Sequence, residues 1–281
     1  MTEPVDIRSM TAADLDLVLD WAAAEGWNPG VEDAACFRAQ DPGGFLLAVA
    51  GGVPAASISV VGYGAGYGFL GLYIAAPAYR GQGIAWRLWQ AGMDRMAGRV
   101  VGLDGVVAQQ ANYRKSGFEL AFRHIRHAGA PGLAAPRDPR LIDITSDLAG
   151  AVIGYDRPFF PGPRDTFLRL WLKSRTRHGC LLVEDGAIAG YGVARACRQG
   201  WKIGPLFADT PAGADLLFRR LAAHAQGDMV FLDLPEPNAE AVALAQRHGL
   251  APVFETARMY RGPQPALPLP RIYGVTTLEL G

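Results

Sequence analysis

The chain has 281 residues, enough for two domains, and half of them are hydrophobic, so a sizeable core is available. Its 27 basic and 27 acidic residues cancel, which argues against nucleic acid or another polyanion as a partner. Apolar runs are broken by glycine, proline or charge before membrane-spanning length, and the acidic start Met1–Asp6 has no apolar h-region, so neither a membrane partner nor a secretory signal is expected. Cys36, Cys180 and Cys197 stand far apart with no C-x-x-C, and the histidines lack ligand spacing. This pattern fits buried reduced thiols, a cytoplasmic location and no metal.

Ile7–Met10 reads as a first strand, and Thr11 caps a helix in which Leu15, Val18, Leu19 and Ala22 recur at helical spacing. Gly26-Trp27-Asn28-Pro29-Gly30 breaks it, and a second helix runs over 31–39. Two strands, 45–50 and 55–61, form a hairpin across Gly51-Gly52. A strand at 69–75 feeds a helix over 83–97, followed by a strand at 100–106, a short helix at 110–116 and a long strand at 118–127.

The decisive stretch runs from Leu72 to Ala85. An apolar strand stops at Pro77, a glycine-punctuated turn follows, and an amphipathic helix begins at once. Strand, glycine turn and helix N-terminus together build an anion site from backbone N–H groups and the helix dipole. Gly81 and Gly83 let the backbone approach a pyrophosphate. The turn lacks both the G-K-[ST] ending of a P-loop and the G-x-G-x-x-G of a dinucleotide fold.

Arg80-x-x-Gly83-x-Ala85 resembles the [QR]-x-x-G-x-[GA] signature of the GNAT acyltransferase superfamily, with Pro77 three residues before Arg80 and a Y-x-x-x-G-F ending at Tyr113–Phe118. The likeness covers residues 5–128 and matches the family's β-α-α-β-β-β-α-β-α-β order. It implies an α/β (α+β) fold, with a mixed, mostly antiparallel central sheet flanked by helices. A hairpin at 181–193, a strand and helix over 203–225, and a strand, helix and Gly249-Leu250 over 229–250 echo the first half. The second half therefore resembles a degenerate copy in a tandem-GNAT layout. It has no phosphate-loop signature after Phe207, and Ala245 stands at the tyrosine position. The expected organisation is an acetyl-CoA-binding domain over 1–128, a linker over 129–140 and the degenerate copy over 141–281.

The resemblance also implies roles. Tyr73, Ile74 and Ala75, on a strand that splays from its neighbour, would meet the pantetheine arm and the thioester carbonyl. Arg80, Gly81, Gln82, Gly83, Ile84, Ala85 and Trp86 would hold the pyrophosphate. Tyr113 would protonate the leaving sulfur, although a core aromatic beside Phe118 is the competing reading. Asp104 interrupts an apolar strand and is the candidate base, with a structural cap or turn as its rival. The family's CoA-contacting asparagine is replaced by Val106, which leaves Gln109 or Asn112 to take over. Glu25, Trp27 and Asn28 suit recognition of a small polar or cationic acceptor, though Asn-Pro-Gly is also an ordinary turn. The Phe159-Phe160-Pro161 stretch is a candidate cover for the first cleft.

The implied activity is acetyl-CoA-dependent N-acyl transfer to the amine of a small molecule, by direct attack in a ternary complex. A non-catalytic acyl-CoA-binding sensor or scaffold is the alternative. A longer acyl chain or an oxygen acceptor would differ only in pocket size.

Overall fold

The computed structural model describes residues 4–173 and 175–281. The first half comprises β1 (Val5–Ser9), α1 (Ala12–Ala24), α2 (Asp33–Gln40), β2 (Phe45–Ala50), β3 (Val53–Tyr63), β4 (Tyr67–Ala75), α3 (Ile84–Arg95), β5 (Val100–Val106), α4 (Gln110–Lys115) and β6 (Glu119–Gly129). Thr11 caps α1 as expected. Its hydroxyl accepts from the Asp14 N–H while the Asp14 carboxylate accepts from the Thr11 N–H.

The second half runs through β7 (Leu141–Asp143), α5 (Ala149–Asp156), α6 (Asp165–Trp171), β8 (Arg177–Glu184), β9 (Ala187–Ala196), β10 (Trp201–Ala208), α7 (Pro211–Ala222), β11 (Val230–Pro235), α8 (Ala239–Arg247), β12 (Ala251–Arg261) and β13 (Ile272–Gly274). The elements expected between 181 and 250 are present. The sequence pattern predicts none of β7, α5, α6 and β13, which are short and carry little periodicity, nor the longer β12. No helix among the described residues is long and apolar enough to cross a membrane.

All the strands join one sheet, in the order β1-β2-β3-β4-β5-β12-β6-β11-β10-β9-β8-β7, with β13 paired to β10. Pairing is antiparallel except between β4 and β5 and between β10 and β11. The two halves exchange their last long strands: β12 pairs with β5, and β6 pairs with β11. The exchanged strands also pair with each other, so the sheet is continuous through the middle of the molecule.

Two cross-strand ion pairs mark the exchange. Arg258 on β12 lies opposite Asp104 on β5, and Arg126 on β6 lies opposite Asp233 on β11. Both pairs are bidentate, at 2.9 and 2.6 Å for Arg258–Asp104 and 2.6 and 2.9 Å for Arg126–Asp233.

One apolar cluster lies under α3 (Ile58, Leu88, Trp89, Phe118) and a second under α7 (Leu217, Phe218, Leu232, Leu244). A third draws Phe37, Phe45 and Phe69 from the first half together with Trp171, Tyr191 and Phe207 from the second. The halves thus share a core, and each covers apolar surface that the other would expose. Phe159 and Phe160 belong to this shared core. Phe160 packs edge-on against Tyr63 at 4.6 Å, so this segment docks on the β3–β4 turn and does not cover the cleft.

Candidate active site

Strands β4 and β5 pair only from Tyr67/Val100 to Leu70/Leu103. Past that point β4 carries a bulge. Gly71 pairs with Ser59 but Ile74 pairs with Ser57, and the extra residue is absorbed at Leu72, whose φ is +46°. The Ser57 hydroxyl secures the bulge by donating to the Leu72 carbonyl at 2.7 Å. The strands diverge beyond it and open a cleft of about 590 Å³. Tyr73, Ile74, Ala75, Arg80, Gly81, Ala85, Gln109 and Tyr113 line it, with Glu25 and Trp27 along the same cleft. The expected splay is present, and it brings these residues together.

Helix α3 begins at the cleft. Gly83 is its N-cap, with φ +77°, and no side chain caps the first turn or places an acid in it. Gly81 and Gly83 both hold left-handed backbone, and open space lies where a Cβ would stand. The first-turn N–H groups are therefore available to an anion, reinforced by the positive end of the helix dipole. Arg80 donates to the Ala75 carbonyl and pairs with Glu25, linking the glycine turn to the end of α1. Both side chains are well exposed, so this link adds little stability.

Tyr113 is buried to 8% exposure and its ring stacks on Trp89 at 5.7 Å. A Cβ on Gly105 would stand 2.2 Å from the Tyr113 ring. That glycine gives the tyrosine room beside β5. Burial pushes the phenol up to about 12, so it remains a proton donor at neutral pH.

Asp104 departs from its expected role. The Asp104 side chain has no exposed surface. Its carboxylate takes both donors of Arg258 and a 2.8 Å contact from His124 Nδ1. Burial alone would raise its pKa, but Arg258 and then His124 outweigh that and hold it down at about 2. So weak a base, fully engaged, is poorly suited to take an amine proton at neutral pH. Asp233 repeats the arrangement in the second half, so Asp104 belongs to the strand exchange.

Three expected site residues, Asn28, Trp86 and Asn112, stand outside the cleft. Asn28, with φ +53°, turns toward the second half and exchanges 2.9 Å hydrogen bonds with the Gln199 backbone. Trp86 is 52% exposed and lines an outer groove with Met93 and Lys115, so only its backbone N–H faces the phosphate turn. Asn112 donates to Gln109 on the protein surface, leaving Gln109 as the cleft residue of that pair. Gln82 donates to Ala78 and braces the turn.

The cleft is also lined by β6 of the first half and by segments of the second half. Arg126 on β6, Phe254 and Thr256 on β12, and Leu278 and Glu279 beyond β13 all line it. The sequence pattern assigns these residues no role in a site. One signal was available: aligning Gly117-Phe118 with Gly249-Leu250 superimposes Arg126 on Arg258.

The corresponding place in the second half is closed. Strands β10 and β11 pair over Trp201–Ile203, and β13 then lies against β10 at Leu206 and Phe207. The Asn238 amide holds β13 through the Ile272 carbonyl at 2.8 Å. The N-terminus of α7 is also spent. Pro211 has no N–H, and the Thr210 hydroxyl accepts from Gly213 at 3.1 Å. Asp209 is paired with Arg271 and accepts from Tyr155 at 2.6 Å.

Comparison with known proteins agrees with this geometry. A model of the acetyltransferase (GNAT) family matches residues 13–118, and a second model, of an acetyltransferase (GNAT) domain, matches 152–274. The chain is 34% identical over 267 residues to holothin acyltransferase of Pseudoalteromonas sp. (strain SANK 73390), covering 94% of this chain and 90% of that one. A Pyrococcus horikoshii structure described as an acetyltransferase superimposes with a TM-score of 0.83 at 21% identity, over 99% of this chain and 96% of that one. A tandem GNAT protein from the clavulanic acid pathway gives a TM-score of 0.63 at 15% identity, over 93% of this chain and all of that one. With two such domains and a homologous acyltransferase along nearly its whole length, the chain belongs to the GNAT superfamily and is an acyltransferase.

Proposed function

We propose that the protein transfers an acetyl group from acetyl-CoA to the amine of a small acceptor, by direct attack in a ternary complex within the first-half cleft. The observation that carries this reading is the junction of three features in one cleft: the β4–β5 splay, the uncapped N-terminus of α3 and the Tyr113 phenol. Acetyl-CoA supplies the activated carbonyl. Backbone N–H groups around 81–86 suit its pyrophosphate, and no side chain there is negative. Tyr73, Ile74 and Ala75 leave backbone groups unpaired by β5, where an extended arm and a thioester carbonyl can bond to them. Tyr113 gives a proton to the departing sulfur. The second half, with its cleft closed, serves as a wall of the acceptor site through β12 and the 278–279 segment.

The acyltransferase relative names holothin, which is accordingly the first acceptor to test. Incubation with acetyl-CoA and holothin, followed by free thiol release and mass spectrometry, should show one acetyl group on the acceptor. Absence of acetyl-CoA binding by calorimetry would refute the donor assignment. Binding without transfer to any amine would favour an acyl-CoA sensor instead.

A further inference from the structure

Glu279 lines the cleft with Tyr113 and is 4% exposed. Its Oε2 is buried with no hydrogen-bond partner. Asp33, Asp104, Asp156 and Asp233, the other acids around the shared core, each meet an arginine within ion-pair distance. A buried carboxylate oxygen left without a donor carries a desolvation cost that a bound ligand would relieve.

Its position is fixed from several sides. The Glu279 carbonyl lies 2.1 Å from where a Cβ on Gly71 would stand, so only glycine at the β4 bulge admits this segment. Leu280 donates its N–H to the Thr277 hydroxyl, and the Tyr63 phenol donates to the Leu280 carbonyl, both at 2.9 Å. Arg195 donates to the Thr276 carbonyl at 2.8 Å. The charged and titratable groups whose fields reach Glu279 are Arg126, Arg195, Lys202 and Cys197. Arg126 is taken by Asp233, Lys202 donates to the Trp27 and Asn28 carbonyls, and Arg195 faces Asp33 at 3.5 Å without a hydrogen bond from its Nε or Nη2. Tyr113 and the occupied Asp104 line the same cleft.

We infer that Glu279 is the base of the reaction and accepts a proton from the acceptor's amine. This rests on the acetyl-CoA-dependent N-acyl transfer proposed above. An arriving ammonium gives one proton to Glu279, which passes it to solvent. The freed lone pair forms the N–C bond to the thioester carbonyl as the C–S bond breaks. The sulfur takes the Tyr113 proton, and the second proton leaving nitrogen restores the phenol. Trp27, Phe254 and Leu278 add aromatic and apolar lining to the same cleft, beside Arg126 and Thr256. The acceptor class that suits this lining is a primary amine on an apolar frame.

The test compares Glu279→Gln with wild type in the full chain, using acetyl-CoA and benzylamine as probes. Near neutral pH, kcat/KM for the amine should fall by about a hundred- to ten-thousand-fold, the range for lost acid–base assistance. The deficit should shrink as pH rises and solvent supplies free amine, and Glu279→Asp should recover part of the rate. Acetyl-CoA affinity by calorimetry should not change, while benzylamine should bind the CoA complex at least tenfold more weakly in Glu279→Gln. Unchanged amine binding and turnover, or a deficit equal at every pH, would overturn the assignment and leave the donor reading intact. A wild type that binds no acetyl-CoA would instead refute the donor reading and this assignment with it.

Discussion

The two halves share a strand pattern and a cross-strand aspartate–arginine pair, yet only one keeps an open cleft. In the first half β4 and β5 part at a bulge and α3 starts with free N–H groups. In the second, β13 occupies the gap, and Pro211 and Thr210 leave little for an anion to bind. Fold and site are thus held by different residues. The ion pairs Asp104–Arg258 and Asp233–Arg126 persist in both halves because they fasten exchanged strands. The glycine turn and the tyrosine are found only in the half with the open cleft. The segment after β12 links the two clefts: it fills the second with Ile272–Gly274 and ends in the first with Leu278 and Glu279.

The sharpest break in this comparison is Tyr113→Phe. Ala245, fully buried, takes the tyrosine's place in the second half, so the phenol should serve the reaction and not the packing. Removing only the hydroxyl should lower turnover by about a hundred- to ten-thousand-fold with acetyl-CoA affinity unchanged. Stopped assays of thiol release beside calorimetry check this, and an equally active variant would return Tyr113 to a packing role.

Asp104→Asn and Asp233→Asn test the shared feature. Each leaves a buried arginine uncompensated, which costs about 3–5 kcal/mol, and the two losses should be similar although only one lies near the cleft. The Asp104 pKa falls from an ordinary 3.8 to about 2 on folding. Its contribution is therefore complete above about pH 4 and fades as pH falls toward 2. Acid unfolding of Asp104→Asn should be correspondingly flatter over that window. A stable Asp104→Asn protein with lost turnover and an altered pH–rate profile would restore it as the base.

Gly83→Asp addresses the donor site. It forces a side chain into left-handed backbone and sets a negative charge at the helix N-terminus, so acetyl-CoA should bind at least about a hundred-fold more weakly. Circular dichroism should report an intact fold, because nothing packs where the new Cβ would stand. Unchanged affinity would remove the α3 N-terminus from the site.

Much of this was legible in the sequence, and the boundary follows physical lines. Helical periodicity exposed α1 and α3, and apolar runs bounded by glycine or charge exposed the long strands other than β12. The glycine turn was legible because free backbone N–H groups and positive φ demand particular residues at fixed spacing. Asp104 misled for an instructive reason: a carboxylate on an apolar strand signals a partner, but sequence alone does not say which. Its partner, Arg258, lies 154 positions away and arrives through strand exchange. Glu279 stayed hidden in the same way, since its cleft position depends on how the terminal segment passes Gly71.

The smallest expected effect belongs to the sealed second cleft. Thr210→Ala removes the side-chain cap of α7, worth about 1 kcal/mol of stability, and releases the Gly213 N–H. If an uncapped helix end after a strand were enough for a CoA site, the variant would begin to bind a second acetyl-CoA. It should not, because Pro211 still lacks an N–H, the Asp209–Arg271 pair still stands at the entrance, and β13 still fills the space an acyl arm would need. Calorimetric stoichiometry should therefore remain one per chain in wild type and in Thr210→Ala, with only the melting temperature lowered. A second molecule bound by the variant would mean that capping alone closed this half, and that β13 yields to a ligand.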